Sequence, residues 1–346
     1  IENLRNLGSA QLQPNARLNV LYGDNGAGKT SVLEALVVLS RGRSFRTTQA
    51  GELVGPRQAT FQIFADARNE QGRVHKMGLE RSGKRWRGRM DGEDLQQLSH
   101  LTRSLPLVLL EPESHLLISG SPETRRRFID WGMFHVEPSF LDVWRRYSKA
   151  LKQRNAALRQ GLAGVLDSLD AVLCEEGEAL SRLRASHAAA ISNRITPLLE
   201  RMSFRLGDIS IEYHPGWGAE TLKESLGRNR TRDLDRGLTL SGPHRADLRL
   251  SCGRSPARAI LSRGEQKMLA TALLLTQAEI LSGLGEPPLV LLDDLGSEFD
   301  REHFGKALSR ALEVGGQVWL TGTARPSLES DHGVFHVEQG AVRKMV

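Results

Sequence analysis

The chain has 346 residues, a formal net charge of +6 and a hydrophobic content of 39%, which favours globular domains over disorder. Its two cysteines exclude a disulfide framework and suit a reducing cytoplasm. We expect no signal peptide, and no apolar run is long enough to cross a bilayer. The length predicts two domains, or one domain with a large insertion. Because the chain opens on Ile1 without an initiator Met, we expect a few natural residues to precede it.

The basic residues are unusual in kind, since only nine of the 47 are lysine. An arginine-rich chain can reflect a GC-rich genome, or it can reflect a surface that binds phosphate, because arginine forks onto phosphate oxygens. Aromatic residues make up 5% of the chain. This low content disfavours a module that stacks single-stranded bases and favours contact with a phosphate backbone.

The N-terminal third alternates strand and helix patterns. Residues 17–22 predict a strand, and residues 29–40 predict a helix buried on most sides. Short alternating segments over residues 59–89 predict antiparallel strands. Residues 105–112 predict a buried strand that ends at Pro112.

A helical pattern follows from residue 120 to about residue 205. Ser121 is suited to an N-cap, and Pro122 follows at the first helical position. Apolar residues then recur at spacings of three and four between Leu166 and Leu198, which predicts a seam for a partner helix. His187 falls on this seam. A core position is favoured over a ligand role there, because no second ligand lies nearby.

Strand and helix patterns alternate again in the C-terminal part. Strands are predicted at 208–215, 247–253, 287–294 and 316–323, a helix at 262–281, and a final hairpin at 332–346 with Gly340 near its turn. This order predicts an α/β head that an inserted helical lobe interrupts. The predicted divisions are head residues 1–119, helical lobe 120–205 and head residues 206–346.

The glycine-rich turn at residues 23–30, GDNGAGKT, fits the motif G-x-x-x-x-G-K-[ST] between a strand and a helix. Gly26 and Gly28 let backbone N–H groups approach a β-phosphate, Lys29 can reach β- and γ-oxygens, and the Thr30 hydroxyl suits Mg²⁺. An ordinary glycine turn is the alternative, which the flanking elements disfavour. The predicted ATP-binding residues are Gly23, Asp24, Asn25, Gly26, Ala27, Gly28, Lys29, Thr30 and Ser31.

Two acids, Asp293 and Asp294, follow the apolar run LVLL. A carboxylate at the end of a parallel strand points into the crevice where loops gather. We expect Asp293 to hold Mg²⁺ together with Thr30, and Asp294 to orient or deprotonate the attacking water. The alternative of two solvated acids is disfavoured, because adjacent like charges after a buried run are costly without a cation.

The segment LSRGEQK at residues 261–267 has two interpretations. Ser262 and Glu265 fit a capping box, and the exposed N–H groups of the same helix start suit a phosphate. Together with both preceding motifs, the segment resembles the signature of an ABC-type ATPase head. The resemblance implies that Ser262, Gly264 and Glu265 contact the γ-phosphate of ATP bound to a second copy, with Lys29 and Asp294 as the catalytic residues.

Two further features follow from the ABC-type resemblance. Residues 296–300 occupy the place of a D-loop, with Ser297 and Asp300 near the subunit contact. Many ABC proteins carry a histidine after the next strand. This chain offers Thr321 and Thr323 instead, so the residue that senses the γ-phosphate stays open.

Narrower motifs resemble the RecF family of bacterial recombination mediators. They are GDNGAGKTSVLEAL with GRSFRT, EPESHLLISGSPETRRRFID, and SGPHRADL, in which Ala246 replaces one acid of the family motif. The resemblance implies a cytoplasmic DNA-dependent ATPase that uses ATP and Mg²⁺ and dimerises on ATP. It also implies binding to gapped or junction DNA, action with RecR and RecO, loading of RecA, and slow, DNA-stimulated hydrolysis.

The DNA-contacting surface is the least determined feature. The candidates are Arg85, Arg87, Arg145, Arg146, Lys149 and Lys152, with further basic residues at Arg81, Lys84, Arg89, Arg154, Arg228, Arg230 and Arg232. Each of these could instead be a solvated basic residue, and one or two of Arg125, Arg126 and Arg127 could pair with acids of the head. Trp86 could stack on a base or pack on its own sheet.

Two other functions stay open at this point. One is a structural clamp of the SMC type, against which the short helical lobe argues, because a tether needs a long coiled-coil arm. The other is the nucleotide-binding subunit of an ABC transporter, with a separate membrane partner. The basic helical insertion argues against this second alternative.

Overall fold

The computed structural model describes residues 1–68, 71–218, 220–325 and 331–345. They divide into two compact units, Ile1–Ser114 with Leu274–Val346, and His115–Leu273. Residues 206–273 therefore group with the helices of the second unit, whereas the sequence had assigned them to the head. The predicted boundaries of the functional domains stay a prediction. No helix within the described ranges has the length and apolar character to cross a membrane.

The regular elements follow the predicted alternation. The strands are β1 (Glu2–Leu4), β2 (Leu7–Ser9), β3 (Leu18–Tyr22), β4 (Thr60–Arg68), β5 (Val74–Ser82), β6 (Arg85–Met90), β7 (Glu93–Leu95), β8 (Leu107–Leu110), β9 (Ile209–His214), β10 (Asp247–Cys252), β11 (Ser255–Pro256), β12 (Leu289–Leu292), β13 (Gln317–Gly322), β14 (Gly333–Glu338) and β15 (Ala341–Met345). The helices are α1 (Lys29–Arg41), α2 (Ser99–Ser104), α3 (Leu116–Ser119), α4 (Pro122–Val136), α5 (Phe140–Arg159), α6 (Leu166–Arg201), α7 (Leu222–Arg236), α8 (Ala257–Ile260), α9 (Arg263–Ser282) and α10 (Arg301–Val314).

The mostly parallel sheet of the first unit has the order β15-β14-β3-β13-β12-β8. Strands β14, β3, β13, β12 and β8 run parallel, and β15 closes the edge as the predicted hairpin partner of β14. The last residue of that predicted hairpin, Val346, lies outside the described residues. The apolar sequences of β8 and β12, both LVLL, suit strands buried on two faces. This topology brings the carboxyl ends of β3, β12 and β13 to one edge.

Helix α1 lies between the parallel sheet and an antiparallel sheet of order β2-β1-β4-β5-β6-β7. Its residues Val32, Leu33 and Val37 belong to the core formed with the parallel strands. Its residues Val38 and Leu39 belong to the core formed with β4 and β5. The predictions of a helix buried on most sides and of antiparallel strands over residues 59–89 are confirmed.

The second unit is built from α4, α5, α6 and α7 with the antiparallel strands β9, β10 and β11. The predicted apolar seam is confirmed in α6, where Leu173, Ile191 and Leu198 are fully buried. His187 is buried on the same helix, and burial lowers the pKa of its imidazole to about 4. His187 is therefore a neutral core residue, as predicted.

Buried ion pairs tie the second unit together. The Arg154 guanidinium is fully buried and donates to Asp170 and Asp233, so Arg154 is wrong as a DNA-contacting candidate. The Arg125 guanidinium donates to both carboxylate oxygens of Asp247, at 2.7 and 3.1 Å. Such bidentate pairs supply the hydrogen bonds that buried charges require. Part of the arginine excess in this sequence therefore stabilises the fold.

Candidate nucleotide-binding site

The glycine-rich turn joins β3 to α1, as the motif predicts. Gly23, Gly26 and Gly28 have φ angles of 149°, 78° and 117°. At Gly23 a Cβ atom would lie 2.1 Å from the Val337 carbonyl oxygen, so this position requires glycine. The turn leads directly into the start of α1, the kind of glycine-rich strand-to-helix turn whose backbone N–H groups bind phosphate in many proteins.

Lys29 lies at the base of this turn and is 8% exposed. Its Nζ donates to the carbonyl oxygens of Gly23 at 2.6 Å and Asp24 at 2.9 Å. An ammonium group has three N–H donors, so a third remains for an additional acceptor. The local hydrogen bonds thus hold the charge in place beside the backbone that is predicted to bind phosphate.

Three oxygens meet where β12 and β13 end. The Thr30 hydroxyl donates to Asp293 Oδ1 at 3.0 Å, and the Thr321 hydroxyl donates to the same oxygen at 2.8 Å. Burial raises the pKa of Asp293, while the two hydroxyl donors act in the opposite direction. Hydroxyl and carboxylate oxygens suit Mg²⁺, which usually takes few protein ligands beside phosphate and water. The residue types therefore fit the predicted metal.

Asp294 is held beside this group. Its backbone N–H donates to the Thr321 hydroxyl at 2.8 Å, and its carboxylate accepts from the Ser297 hydroxyl at 2.8 Å. Its φ of 53° is left-handed, a conformation that short acidic side chains tolerate better than most. Thr321 is thus bonded to both acids, whereas Thr323 is exposed. The sequence offered Thr321 and Thr323 for the role of γ-phosphate sensor. Among the described contacts, only Thr321 is hydrogen-bonded to Asp293 and Asp294.

The site also contains residues that sequence reasoning missed. Asn6 donates to the Gly26 carbonyl at 3.2 Å and accepts from the Ser31 hydroxyl at 2.9 Å, so it fastens the turn to α1. Arg5 and Arg46 line the same recess of about 410 Å³, and both pair with the buried carboxylate of Glu34. Arg46 belongs to the segment GRSFRT, the only sequence signal that pointed to this part of the site.

Glu111 is a further acid that the sequence did not single out. It follows β8, the strand next to β12, where the Asp293 N–H donates to the Leu110 carbonyl at 2.8 Å. Burial raises the pKa of Glu111 to about 7, and the negative charges of Glu113 and Asp293 act in the same direction. A carboxyl group that exchanges its proton near neutral pH therefore follows the strand adjacent to Asp293.

The start of α9 forms the predicted capping box. Glu265 N–H donates to the Ser262 hydroxyl at 3.4 Å, and the Ser262 N–H donates to the Glu265 carboxylate at 2.8 Å. The Ser262 hydroxyl also donates to this carboxylate, which lowers the pKa of Glu265. Gly264 has open space around its α-carbon. The helix start is capped and solvent-exposed; its predicted phosphate contact stays a prediction.

The basic candidates differ in their local partners. Arg87 pairs with Asp94, Arg145 with Asp142 and Arg146 with Glu176. Arg85, Lys149 and Lys152 are exposed and make no ion pair with the described residues.

Several other arginines are used within the fold. Arg81 lies over the Trp86 ring and donates to the Gly83 carbonyl, and Trp86 packs on Phe61 of its own sheet. Arg89 pairs with Asp94, and Arg230 pairs with Asp167. These contacts within the protein explain the positions of Arg81, Arg89 and Arg230, so no bound nucleic acid is needed to explain them.

Comparison with known proteins places this geometry in a family. Residues 1–340 match the family model described as the RecF/RecN/SMC N terminal domain. A protein of Xanthomonas euvesicatoria named DNA replication and repair protein RecF is 44% identical over 99% of this chain and 97% of its own length. A protein of the same name from Thioalkalivibrio sulfidiphilus is 38% identical, over 99% of this chain and 97% of its own length.

Solved structures agree with this placement. A structure of the recombination mediator protein RecF with ATP, from the RecFOR pathway, has a TM-score of 0.90 and 27% identity, covering 100% of this chain and 96% of its own. The Smc head domain from Pyrococcus furiosus has a TM-score of 0.60 at 14% identity, over 99% of this chain and 94% of its own, and so shares the fold.

Proposed function

This chain belongs to the RecF family, and we propose that it is a cytoplasmic, ATP-dependent recombination mediator that binds DNA as an ATP-closed dimer. The observation that carries the proposal is the hydrogen-bonded group of Thr30, Asp293 and Thr321. It joins the phosphate-binding turn to the acids that follow β12. The similarity to the structure of RecF with ATP supports the same site.

Within this site, Lys29 would neutralise the β- and γ-phosphate oxygens, and the backbone N–H groups of residues 23–31 would bind the remaining phosphate charge. Thr30 and Asp293 would hold Mg²⁺, which supplies charge neutralisation at the phosphates. Asp294 would accept a proton from, or orient, the attacking water, since Ser297 and Thr321 fix its position. Hydrolysis to ADP and phosphate then removes the group that holds the dimer.

The second copy would contribute its capped helix start at Ser262, Gly264 and Glu265. The positive end of the α9 dipole and the N–H groups of its first turn favour a γ-phosphate. The Ser262 hydroxyl would exchange its bond to Glu265 for a phosphate oxygen. This proposal is supported by the exposure of the helix start and by the ABC-type motif order.

Gapped or junction DNA would bind to the basic residues that were identified as candidates for DNA contact. Arg85, Lys149 and Lys152 are the best supported, because their charges are not balanced by neighbouring carboxylates in the described structure. Partners of this activity would be RecO and RecR, with RecA loaded as the outcome, as the pathway of the similar structure suggests. Hydrolysis would be slow and stimulated by DNA.

A tethering clamp of the SMC type is less well supported. Helix α6 has 36 residues, which corresponds to about 54 Å. A ring or tether needs a coiled coil many times that length. The mediator function therefore remains the better fit to this chain.

The proposed chemistry is tested by Asp294→Asn. We expect ATP binding within a few-fold of the native protein, accumulation of closed dimers, and phosphate release slowed about 10²–10⁴-fold, because the water loses its base. Glu302→Gln, an exposed change on α10, serves as the matched control. Phosphate release at the native rate would remove Asp294 from the catalytic role.

A further inference from the structure

The second unit contains an open recess of about 480 Å³, separate from the nucleotide site in sequence and in residues. Its wall comes from the loop that follows β9, from one face of α7 and from residues 240–245. Two arginines, Arg228 and Arg245, line it together with His214 and Trp217. The described lining residues include no carboxylate, so the recess is positively charged.

Close backbone packing gives the recess a defined shape. Gly216 has a φ of 92°, and a Cβ atom there would lie 2.3 Å from the Gly242 carbonyl oxygen. The Gly242 N–H donates to the Gly216 carbonyl at 3.1 Å. Asn229 and Ser225 of α7 both donate to the Ser241 hydroxyl, at 2.9 Å each. These contacts join the three segments, so the side chains on the rim project from a fixed backbone.

The motif SGPHRADL has a structural use for most of its members. The Pro243 carbonyl accepts from Arg184, and His244 is hydrogen-bonded through both ring nitrogens to Tyr147 and Thr239. Asp247 receives the bidentate Arg125 pair already described.

Arg245 is the exception within that motif. Its side chain is exposed, lines the recess and contacts no carboxylate among the described residues.

Arg228 differs from its neighbours on α7 in the same way. Arg230, two residues further on, pairs with Asp167 and donates to the Ala163 carbonyl. Arg228 is exposed, has no carboxylate partner in the described structure, and faces the recess that Arg245 shares. Two guanidinium groups from different segments therefore line one concave surface, and no carboxylate is among its described lining residues.

His214 adds a ring donor to this surface. Its Nδ1 accepts from the Gly216 N–H at 3.2 Å, which leaves Nε2 as the ring donor. Trp217 adds an apolar ring that is partly buried against the helical core. Guanidinium forks, a ring N–H and an aromatic edge match a phosphate with its attached sugar.

We propose that this recess binds a phosphodiester group of a DNA strand, with Arg228 and Arg245 donating to the phosphate oxygens. The inference rests on the proposed DNA-binding function and gives it a specific site. The open shape suits a backbone that passes across the surface rather than an enclosed small molecule.

The test compares Arg228→Gln/Arg245→Gln with Arg194→Gln/Arg249→Gln. The control pair removes the same charge from exposed arginines of the same unit that do not line the recess. Binding of a labelled duplex and of the corresponding single strand is measured with ATP between about 50 and 200 mM salt. Thermal unfolding is expected to be unchanged in both variants, because all four side chains are exposed.

The recess variant should lose about tenfold in affinity per arginine, and its salt slope on duplex should fall by about 0.9, because one phosphate is no longer neutralised. If affinity falls for both the duplex and the single strand, the site binds the phosphate backbone of either. If it falls for only one of them, that form of DNA is the ligand.

Trp217→Phe should remove a DNA-dependent fluorescence change. Equal affinities and slopes in recess and control variants would overturn the inference while leaving DNA binding intact. If the native protein binds no DNA, both the proposed function and the inference fail.

Discussion

Buried charges serve different ends in the two units. In the second unit, the Arg154 guanidinium is enclosed by the carboxylates of Asp170 and Asp233, so opposite charges meet within the fold. At the nucleotide site, the buried carboxylate of Asp293 instead receives hydrogen bonds from two neutral hydroxyls, and burial raises its pKa. The difference separates a buried charge that is neutralised within the fold from a buried charge that we propose is neutralised by a bound metal ion.

The largest expected effect on stability comes from breaking the paired cluster. Arg154→Ala leaves Asp233 buried without its cation, and we expect the free energy of unfolding to fall by about 3–5 kcal/mol. ATP binding by the folded protein should be retained. Urea unfolding, together with nucleotide titration below the transition, measures both quantities.

Arg146→Ala is the matched control for this change. It removes an ion pair with Glu176 from a side chain that is 57% exposed, and it should cost less than about 1 kcal/mol. Equal losses in the two variants would contradict the structural role assigned to the buried cluster.

At the nucleotide site we expect the reverse, namely a loss of ATP affinity while the stability of the fold is retained. Lys29→Ala should weaken ATP binding about 100-fold, because a charge-assisted contact worth roughly 1.5–3 kcal/mol is lost at the phosphates. Calorimetric titration with ATP measures this loss, and Lys306→Ala, a half-buried lysine of α10 that pairs with Glu302, is the control. If ATP affinity were unchanged, the turn at residues 23–30 would not be the phosphate site.

An effect confined to acidic pH concerns a neutral group in the helical core. The pKa of His187 is lowered by burial to about 4, against an ordinary value of 6.5, so only the unfolded chain takes up the proton between these values. Stability should therefore fall as the pH drops from about 6.5 toward 4, by roughly 1.4 kcal/mol per pH unit from this residue. His187→Leu should remove that contribution.

Urea unfolding across this pH range is the measurement, with exposed His100→Leu as the control. The control should keep the full pH dependence of the native protein. If the free energy of unfolding of His187→Leu depended on pH as strongly as that of the native protein, His187 would not titrate as a buried group.

The sequence predicted the parts of the site that belong to local motifs. Lys29 and Thr30 lie within one glycine-rich turn, and Asp293 and Asp294 follow one apolar strand, so spacing alone was enough to predict the chemistry proposed for them. Thr321 was recognised only as a substitute for a histidine. Its bond to Asp293 depends on β12 and β13 being neighbours in the sheet, which is a property of the topology.

Long-range ion pairs were the least predictable feature. Arg154 and Arg146 lie eight residues apart on α5, yet one is fully buried and the other is exposed. The partners of Arg154 belong to α6 and α7, so no pattern within α5 could separate the two arginines. Asn6 was missed for the same reason, because its role depends on where β1 and β2 place the intervening turn.

The most direct test of the account is complementation between two inactive variants. The central claim is that ATP joins Lys29 of one copy to the Ser262 helix start of another. Lys29→Ala and Ser262→Arg should each fail to dimerise with ATP, since neither homodimer contains an intact site. Their mixture can form one intact site, from Lys29 of one variant and Ser262 of the other.

Sedimentation velocity with ATP measures this directly. The account predicts that each variant sediments as a monomer alone and that an equimolar mixture forms a heterodimer, while the native protein forms a homodimer. A mixture that remains monomeric, or an ATP-dependent dimer of Ser262→Arg alone, would contradict the claim that the phosphate is shared between two copies.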